Sequence, residues 1–499
     1  MNKTITIIGT GIAGLSAGCY GQMNGYRTQI FEMGQNPGGL CTSWSRKGYT
    51  IDGCIHWLVG SSPKSDFYRI WAELGAIQGR SFIDHEALLR IEGADGKEFV
   101  VYSDLDRLKQ HMEELAPEDR DTIEDFIGDI RISTRHDPPV DKAPELYTPA
   151  DGLKMANRLP LLRVMRKWSK ISVQEFASRF HNPFLRESLP AVFHMADFPM
   201  AGMIITLAWL HNRAAGYPIG GSLDFARAIE KRYLGLDGNI HYNSRVAKII
   251  VERDRAVGIR LESGQEYRSD VVVSAADGHS TIFDMLEGKY ADDTVRGYYD
   301  RFPIFPPLLY ISLGIKRNLE DTPSSVMGIN FPLRKPLEVD DSILDRVTAQ
   351  VYNFDPTLAP EGSTVLRVMI MSDYERWRGL LENPVEYRAE KERAADTVIS
   401  ALEERFPGIS ADIDMVDVAT PMTFQRYTGN WQGSFEGWLP TVDNFGKRMS
   451  KTLPDLGNFY MIGQWVEPGG GLPPAATSGR NVVQILCHHD GIKFKTTLP

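Results

Sequence analysis

Three glycines near the start of the chain have the spacing of a phosphate cradle. Residues 4–14 read TITIIGTGIAG, so Gly9, Gly11 and Gly14 follow an apolar run in the order G-x-G-x-x-G. The first glycine permits a sharp turn out of a strand. The second leaves the backbone open to a pyrophosphate, and the third allows close helix packing. Because the N-terminus of the following helix directs unpaired N–H groups at the phosphates, this spacing predicts dinucleotide binding.

A carboxylate closes the same unit. Glu32 ends a second β-like run, YRTQIFEM, about 20 residues after the first glycine. A carboxylate there can accept hydrogen bonds from both ribose hydroxyls, and it would repel a 2′-phosphate. The first strand, the helix, the second strand and the acid follow in the required order. We therefore expect FAD or NAD rather than NADP.

Two more glycine segments follow the pattern of backbone that approaches a nucleotide. Gly38 and Gly39 come after Pro37, and Ser43 or Arg46 beyond them could donate hydrogen bonds to phosphate. Near residue 463 a β-like run, NFYMIG, leads into the loop Pro-Gly-Gly-Gly at 468–471. A helix is expected after Pro473 and Pro474, since proline suits the first helical turn. This second helix N-terminus predicts another site for an anion or a dipole.

Length and composition limit the possible classes of protein. The chain has 499 residues, 42% hydrophobic and 24% charged, with a formal net charge of −10. These values indicate two or three globular domains and no nucleic-acid partner. No run has the roughly 18–20 apolar residues of a membrane span, and no cleavable signal pattern follows Met1, so we expect a cytoplasmic protein or one peripheral to the inner membrane surface. The four cysteines form no C-x-x-C pair, and Cys54 with His56 lacks further ligands nearby, so no metal site is expected.

The distribution of β-rich and helical segments predicts an α/β protein with a Rossmann-like domain assembled from discontinuous pieces. The dinucleotide domain is expected at 1–65, 215–285 and 441–499. An inserted α+β substrate domain is expected at 66–214, mostly helical, and 286–440. A second strand–glycine–helix unit is absent from the sequence, so we expect one tightly held dinucleotide.

The sequence resembles the phytoene desaturase, carotenoid isomerase and retinol saturase group of FAD-dependent oxidoreductases, within the wider amine-oxidase-like superfamily. The segments that carry the resemblance occur in the group's order: GTGIAGLSAG, the PGG at 37–39, RVAKIIVERDRAVGIRLESGQ with VVVSAADGH, and GQWVEPGGGLPPAATSG. IDGCIHWLVG is most similar to the retinol-saturase-like branch. The resemblance spans the whole chain; its cofactor motifs are specific and its substrate region is not.

The resemblance implies one FAD and assigns positions to it. Val246 would hold the adenine through its backbone, Ala275 and Ala276 would close over the nucleotide, and the stretch 469–472 would lie against the flavin. Together with the motif residues, the expected cofactor-binding set is Gly9, Gly11, Ile12, Ala13, Gly14, Glu32, Met33, Gly38, Gly39, Leu40, Ser43, Arg46, His56, Trp57, Val246, Ala275, Ala276, Gly463, Gln464, Gly470, Gly471, Leu472 and Ala475.

Two features of the C-terminal segment differ from those of related flavoproteins. The group commonly has an acidic residue after the strand glycine, whereas this chain has Gln464. An amide can still accept a hydrogen bond, so FAD binding should survive. The loop at 468–471 also lacks the cysteine to which some amine oxidases attach flavin, so we expect non-covalent FAD.

Two segments bear on the substrate and its access. Residues 191–211 are apolar, Met-rich and aromatic. This composition suits either a buried core helix or the wall of a tunnel for a long apolar molecule. Residues 303–314 could form a second wall of such a tunnel. The stretch 154–170 contains six basic residues and no acid among apolar ones. It could dock on anionic lipid, or it could be a solvated helix face or a partner site.

The chemistry expected is hydride transfer by flavin at a carbon–carbon bond of an apolar, polyene- or lipid-like molecule: desaturation, saturation or redox-neutral isomerisation. His56 is a candidate acid or base, with a hydrogen-bonded structural role equally open to it, and Tyr427 is a weaker candidate. Amine oxidation is the alternative enzyme function, with Trp431, Trp438 and Trp465 as an aromatic cage. A non-catalytic FAD-binding protein is the other alternative. The sequence does not identify the substrate or the external electron donor or acceptor.

Overall fold

The computed structural model describes residues 3–192, 195–320, 322–340, 342–467 and 469–499. The strands are β1 (Thr4–Ile8), β2 (Arg27–Phe31), β3 (Ser43–Arg46), β4 (Tyr49–Asp52), β5 (Leu58–Val59), β6 (Phe82–Ile83), β7 (Ala87–Glu92), β8 (Glu98–Tyr102), β9 (Ala215–Pro218), β10 (Asn239–His241), β11 (Val246–Glu252), β12 (Arg255–Leu261), β13 (Glu266–Arg268), β14 (Val271–Ser274), β15 (Leu308–Ile315), β16 (Ile329–Val339), β17 (Ser342–Val351), β18 (Thr364–Met371), β19 (Ile413–Ala419) and β20 (Phe459–Met461).

The α-helices alternate with these strands. They are α1 (Ile12–Met23), α2 (Phe67–Glu73), α3 (Leu105–Leu115), α4 (Arg120–Ser133), α5 (Pro149–Lys154), α6 (Leu159–Trp168), α7 (Val173–Ala177), α8 (Pro183–Ser188), α9 (Met200–His211), α10 (Gly221–Gly235), α11 (Asp293–Arg301), α12 (Tyr374–Leu380), α13 (Pro384–Arg405), α14 (Ile409–Asp412), α15 (Pro421–Thr428) and α16 (Leu472–His489).

A five-stranded parallel sheet carries the glycine motif. Its strand order is β10-β2-β1-β14-β20, and Ile7 of β1 lies opposite Ile30 on one side and Val273 on the other. Helices α1 and α10 pack against one face of this sheet, and β12 of a three-stranded sheet packs against the other, so β14 between them is buried along its whole length. The fold class expected from the sequence is therefore confirmed. The strands of this sheet come from 4–31, 239–274 and 459–461, so distant pieces of the chain do assemble one nucleotide-type sheet. The domain limits themselves stay a prediction.

A second large sheet has seven strands, in the order β19-β15-β18-β17-β16-β7-β8. It is antiparallel except where β16 runs parallel to β7, with Ile329 opposite Arg90. Every residue of β15, the strand LLYISLGI, is buried. The block 66–214 is mostly helical, but it also contributes β7 and β8 to this sheet. Within the described residues, no helix has the length and apolar content needed to cross a membrane.

Helix α9, which makes up most of the Met-rich segment 191–211, packs in the core. Met200, Met203, Ile204 and Leu207 of α9 are at most 1% exposed and pack in the main hydrophobic cluster. None of these side chains borders the cavity between α1 and α16 that is described below. Because α9 is apolar on all sides, it is buried all round. Phe193 and His194 of the same segment lie outside the described residues.

Candidate functional site

The first glycine turn has the geometry of an open cradle. Gly9 has a φ of +95° and donates its N–H to the carbonyl of Phe31 at 2.8 Å. Gly11 precedes α1, and a Cβ added to it would meet no heavy atom within 4 Å, so this position faces open space. A Cβ on Gly14 would lie 2.0 Å from the carbonyl oxygen of Gly9. The three glycines thus serve the turn, the open approach and the close packing that their spacing predicts.

Glu32 is fixed by the cradle that it faces. Its Oε2 accepts hydrogen bonds from the backbone N–H and the hydroxyl of Thr10, at 2.8 and 2.7 Å, and its Oε1 accepts the N–H of Gly34 at 2.7 Å. The side chain is buried and borders the cavity. Since Oε1 keeps a free lone pair, Glu32 can still accept a ligand hydroxyl. Thr10 was not singled out from the sequence, because its role depends on a contact with the next strand.

Two later glycine segments close onto the cradle. Gly38, at φ +105°, donates its N–H to the carbonyl of Thr10 at 2.9 Å and forms a bridge with Gly11. Gly469, Gly470 and Gly471 have φ values of +111°, +63° and +80°. Glycine adopts such positive φ angles without the steric strain that a side chain would cause. Helix α16 starts directly after them at Leu472. Pro473 and Pro474 therefore lie in its first turn rather than before it.

These segments enclose a cavity of about 390 Å³ between the first and the last helix. Helices α1 and α16 both begin at its wall, so the positive ends of two helix dipoles border it. From the expected cofactor-binding set, the lining includes Gly9, Gly11, Ile12, Ala13, Glu32, Met33, Gly38, Gly39, Leu40, Val246, Ala275, Ala276, Gly463, Gln464, Gly471, Leu472 and Ala475. Gly14 lies behind the wall in its packing role, and Gly470 lies just outside the lining.

Helices α1 and α16 touch through a glycine. A Cβ added to Gly479 would lie 2.3 Å from the carbonyl oxygen of Ala13 and 2.7 Å from the nitrogen of Ala17. Beside this contact, the Ser16 hydroxyl donates to the carbonyl of Ala476 at 2.6 Å. The two glycine loops at the cavity are thereby held in fixed relation to each other.

Besides Gly14 and Gly470, four of the expected cofactor-binding residues do not border the cavity. Arg46 lies on the exposed β3–β4 hairpin, where its Nε is 3.2 Å from Asp417 Oδ1, and Ser43 lies on the same hairpin. Neither side chain is in the lining of the cavity, and the phosphate contact expected of Ser43 or Arg46 stays a prediction. His56 and Trp57 follow the hairpin and are also absent from the lining.

His56 lies beside a buried polar network instead. The carboxylate of Asp52 accepts hydrogen bonds from the hydroxyls of Ser222 and Tyr217, the latter at 2.9 Å. The backbone carbonyl of Asp52 accepts from Arg367 Nη1 at 2.8 Å. Burial, and then the Arg367 charge, lower the pKa of His56 well below its usual value, so its imidazole is neutral at pH 7. Its Nε2 is buried and unpaired. His56 therefore cannot donate a proton as an imidazolium at neutral pH.

The three tryptophans weighed for an amine cage do come together, but they pack against one another. The ring centroids of Trp438 and Trp465 are 5.1 Å apart, and those of Trp431 and Trp465 are 6.2 Å apart. Trp438 Nε1 donates to the carbonyl of Trp465 at 2.9 Å, and both side chains are at most 2% exposed. Of the three, only Trp465 borders the cavity. The arrangement is a filled aromatic cluster without the space that a cage needs.

Two acids at the cavity were not identified from the sequence. Asp277 accepts N–H groups from Ser280 and Trp431 at 2.8 and 2.9 Å, so both of its carboxylate oxygens are used. Burial raises its pKa to about 6. Glu436 also borders the cavity, and burial alone raises its pKa to about 7. Tyr427 borders the cavity as well, but it is 61% exposed. In the part of the chain that the structure describes, no three His, Cys, Asp or Glu side chains form a metal-binding group.

Comparisons with known proteins cover nearly the whole chain. The family model described as "Flavin containing amine oxidoreductase" matches residues 12–487. A prolycopene isomerase from Arabidopsis thaliana is 26% identical over 97% of this chain and 81% of its own length. A neurosporene-forming phytoene desaturase from Cereibacter sphaeroides is 25% identical over 94% of this chain and 91% of its own. The crystal structure of an oxidoreductase from Methanosarcina mazei superposes with a TM-score of 0.61 at 17% identity, covering 96% of this chain and all of that one.

Proposed function

We propose that this chain, which belongs to the family of flavin-containing amine oxidoreductases, holds one non-covalent FAD. We further propose that it uses this flavin to act on carbon–carbon bonds of a long apolar polyene. The observation that carries the proposal is the extent of similarity to a carotenoid isomerase and a carotenoid desaturase, which includes 94–97% of the chain. Such a match extends beyond the nucleotide cradle into the segments that would contact a substrate.

The residues of the cavity fit the adenosine and phosphate parts of FAD. The open face at Gly11 leaves room for a pyrophosphate against the backbone, and the start of α1 provides N–H groups for it. Glu32, already oriented by Thr10, would accept a ribose hydroxyl. The loop at 469–471 carries no cysteine, which supports a non-covalent cofactor.

The other end of the cavity would bind the reactive ring. A bound flavin can accept a hydride from a substrate carbon or donate one to it. The start of α16 after Gly471 would stabilise negative charge there, because the helix dipole directs its positive end into the cavity. Gln464 borders the same end, and its amide can donate as well as accept a hydrogen bond.

The substrate class is tested by anaerobic mixing of the purified yellow protein with polyenes, retinoids, unsaturated fatty acids and amines. We expect polyenes to change the flavin absorbance, or to be converted by the reduced protein to products of altered mass or geometry. We expect amines to leave the flavin oxidised, because the tryptophan cluster is filled. Turnover of amines with inert polyenes would contradict the proposal. A flavin that no reductant or substrate bleaches would favour a non-catalytic role.

We also propose that one face of α6 contacts anionic lipid. Leu159 and Leu162 are 50% and 44% exposed, and Arg163, Arg166 and Lys170 beside them are exposed with no carboxylate partner among the described residues. Other basic groups of the stretch are occupied. Lys167 is 2.7 Å from both Asp125 and Asp129, and Arg158 pairs with Asp66 at 3.4 Å. The side chain of Lys154 lies outside the described residues. Exposed leucines between unpaired cations suit a membrane surface.

Replacing Arg163, Arg166 and Lys170 together by glutamine is expected to weaken binding to phosphatidylserine-containing vesicles by about 100-fold at low salt. Each cation near an anionic surface contributes about 1 kcal/mol, and 1.4 kcal/mol is tenfold. Co-sedimentation measures the change. The matched control replaces Arg334, Lys335 and Arg388, which are exposed on other elements, and should bind as the parent does. Equal binding of both triple variants and the parent would contradict lipid contact through α6.

A further inference from the structure

Glu436 lies in a tight, anchored turn at the cavity. The hydroxyl of Ser434 accepts the N–H of Gly437 at 3.1 Å, and Gly437 has a φ of +72°. The carbonyl of Gly437 accepts the N–H of Phe305 at 2.8 Å, which ties the turn to the neighbouring segment. The turn therefore has a defined position, and its glutamate side chain borders the cavity.

The carboxyl group of Glu436 has no partner. No hydrogen bond or ion pair reaches it from any described residue, and burial is the only cause that acts on its pKa. The buried glutamates of the described residues are satisfied by contrast. Glu32 accepts three hydrogen bonds, and Glu467 lies 2.6 Å from Lys451. Glu436 is partly buried at the cavity, and a partly desolvated carboxyl without a protein partner costs folding free energy, so a role in function is the natural reason for its presence.

The position of Glu436 is at the ring end of the cavity. A Cβ added to Gly470 would lie 2.6 Å from Glu436 Oε2, so the carboxyl group rests directly on the terminal glycine loop. Only glycine at 470 leaves space for it. Glu32, Arg245 and Glu262 border the cavity elsewhere, at the ends of β2, β11 and β12, which belong to the expected adenosine end.

The remaining titratable groups at the cavity are less suited to proton transfer. Asp277 has both oxygens engaged, and Tyr427 is largely exposed to solvent. Burial raises the pKa of the Cys41 thiol well above its usual value, so it stays protonated and is a poor base. Asp284 is exposed to solvent, and Cys54 is a thiol. Among these groups, Glu436 alone combines partial burial, a carboxyl without a protein partner and contact with the terminal glycine loop.

We propose that Glu436 is the acid–base residue that exchanges a proton with the substrate beside the bound flavin. The inference rests on the proposed function. In saturation, the carboxyl O–H bond would break as a C–H bond forms at one alkene carbon, and the other carbon would receive the hydride that a bound reduced flavin can supply. The substrate would gain two electrons and two hydrogens, and solvent would return a proton to the carboxylate. In desaturation, the carboxylate would accept the proton lost from one carbon, while the adjacent carbon would lose the hydride that a bound oxidised flavin can accept.

The direction of pH dependence follows from the protonation state. Because the pKa of Glu436 is near 7, the acid form predominates below that pH and the carboxylate above it. Saturation should therefore slow as pH rises through 7, whereas desaturation should accelerate. The sign of the slope would report which direction the enzyme catalyses.

The test compares the holoenzyme with Glu436→Gln. The expected results are unchanged flavin content, a fall in kcat of about 100- to 10,000-fold, and loss of the pH dependence near 7. A second readout needs no turnover. The absorbance of bound flavin in the parent should show a proton-linked transition near pH 7, and the infrared difference spectrum across that transition should contain the band of a protonated carboxylic acid. Both should be absent in Glu436→Gln. Glu382→Gln, an exposed control, should keep both.

A parent without that transition, or a Glu436→Gln variant that retains it, would overturn the assignment. So would a variant with full turnover. The test separates this proposal from the proposed substrate class. If polyenes prove inert but the proton-linked transition depends on Glu436, the carboxyl is the proton-exchanging group and the substrate class alone is wrong. If polyenes react and the variant is unaffected, only the role of Glu436 is wrong.

Discussion

Gly11→Val is expected to give a folded protein that does not retain flavin. The added side chain enters the open face of the cradle, where it meets no protein atom within 4 Å but occupies the approach to the backbone. The backbone at Gly11 has a φ of −57°, so valine needs no left-handed conformation there. We expect the affinity for FAD to fall at least about 100-fold, or roughly 2.8 kcal/mol. The absorbance of the purified protein and titration of the apoprotein with FAD measure it.

The control for this variant is Gly128→Ala in α4, where an added Cβ also meets nothing within 4 Å. It should remain yellow, with the circular dichroism of the parent. A Gly11→Val protein that binds FAD as tightly as the parent would show that the pyrophosphate lies elsewhere. An unfolded Gly11→Val protein would contradict the open geometry of the turn.

Gly479→Ala is expected to destabilise the part of the protein that contains the five-stranded sheet, α1 and α16. Its Cβ would lie 2.3 and 2.7 Å from backbone atoms of α1, and backbone atoms cannot rotate aside as a side chain can. Helices α1 and α16 must separate, at a cost of about 3 kcal/mol, the upper part of the range for overpacked cores. Because both helices begin at the cavity, flavin retention should fall in parallel with stability.

Thermal unfolding at one fixed scan rate, followed by circular dichroism and by flavin fluorescence, measures both effects of Gly479→Ala. The matched control is Gly235→Ala on α10, where an added Cβ meets no atom within 4 Å. It should unfold at the temperature of the parent or slightly above, since alanine favours a helix. Equal midpoints for the two variants would show that α1 and α16 do not need this close contact.

The parts of the site that sequence predicts well are those set by local chemistry. Gly9, Gly11 and Gly14 act within one turn, so their spacing alone defines the cradle. Glu32 follows from its place at the end of the next strand. The glycine run at 469–471 and the helix after it are likewise local. These segments meet at one cavity in the structure, as their order along the chain indicates.

The parts that sequence does not reveal depend on contacts between distant segments. Arg46 is a candidate because of its place after the glycines, and its ion pair with Asp417, far along the chain, cannot be read from the sequence. The Met-rich helix α9 has the composition of a tunnel wall, and only its packing shows that it is core. Strands β7 and β8 join the seven-stranded sheet through β16, more than 200 residues later, which no local pattern indicates.

Glu436 shows the same limit at the cavity. Its neighbours in sequence, Phe435 and Gly437, suggest only a turn. Its chemical setting depends on Gly470, which leaves space for the carboxyl, and on the lack of a cation or donor for it among the described residues. An acid between an aromatic residue and a glycine is the only local signal that could have pointed to it.

The strand order of the five-stranded sheet has a consequence for biosynthesis. Strand β1 is made first, but β14, which pairs with it, follows some 260 residues later, and β20 and α16 come only near residues 459–489. A sheet built from such distant partners folds slowly, because long loops must close before the contacts form. The emerging chain therefore exposes the apolar edges of β1 and α1 during most of translation. We expect cofactor loading to be the last step of maturation, with the nascent protein dependent on chaperones until then.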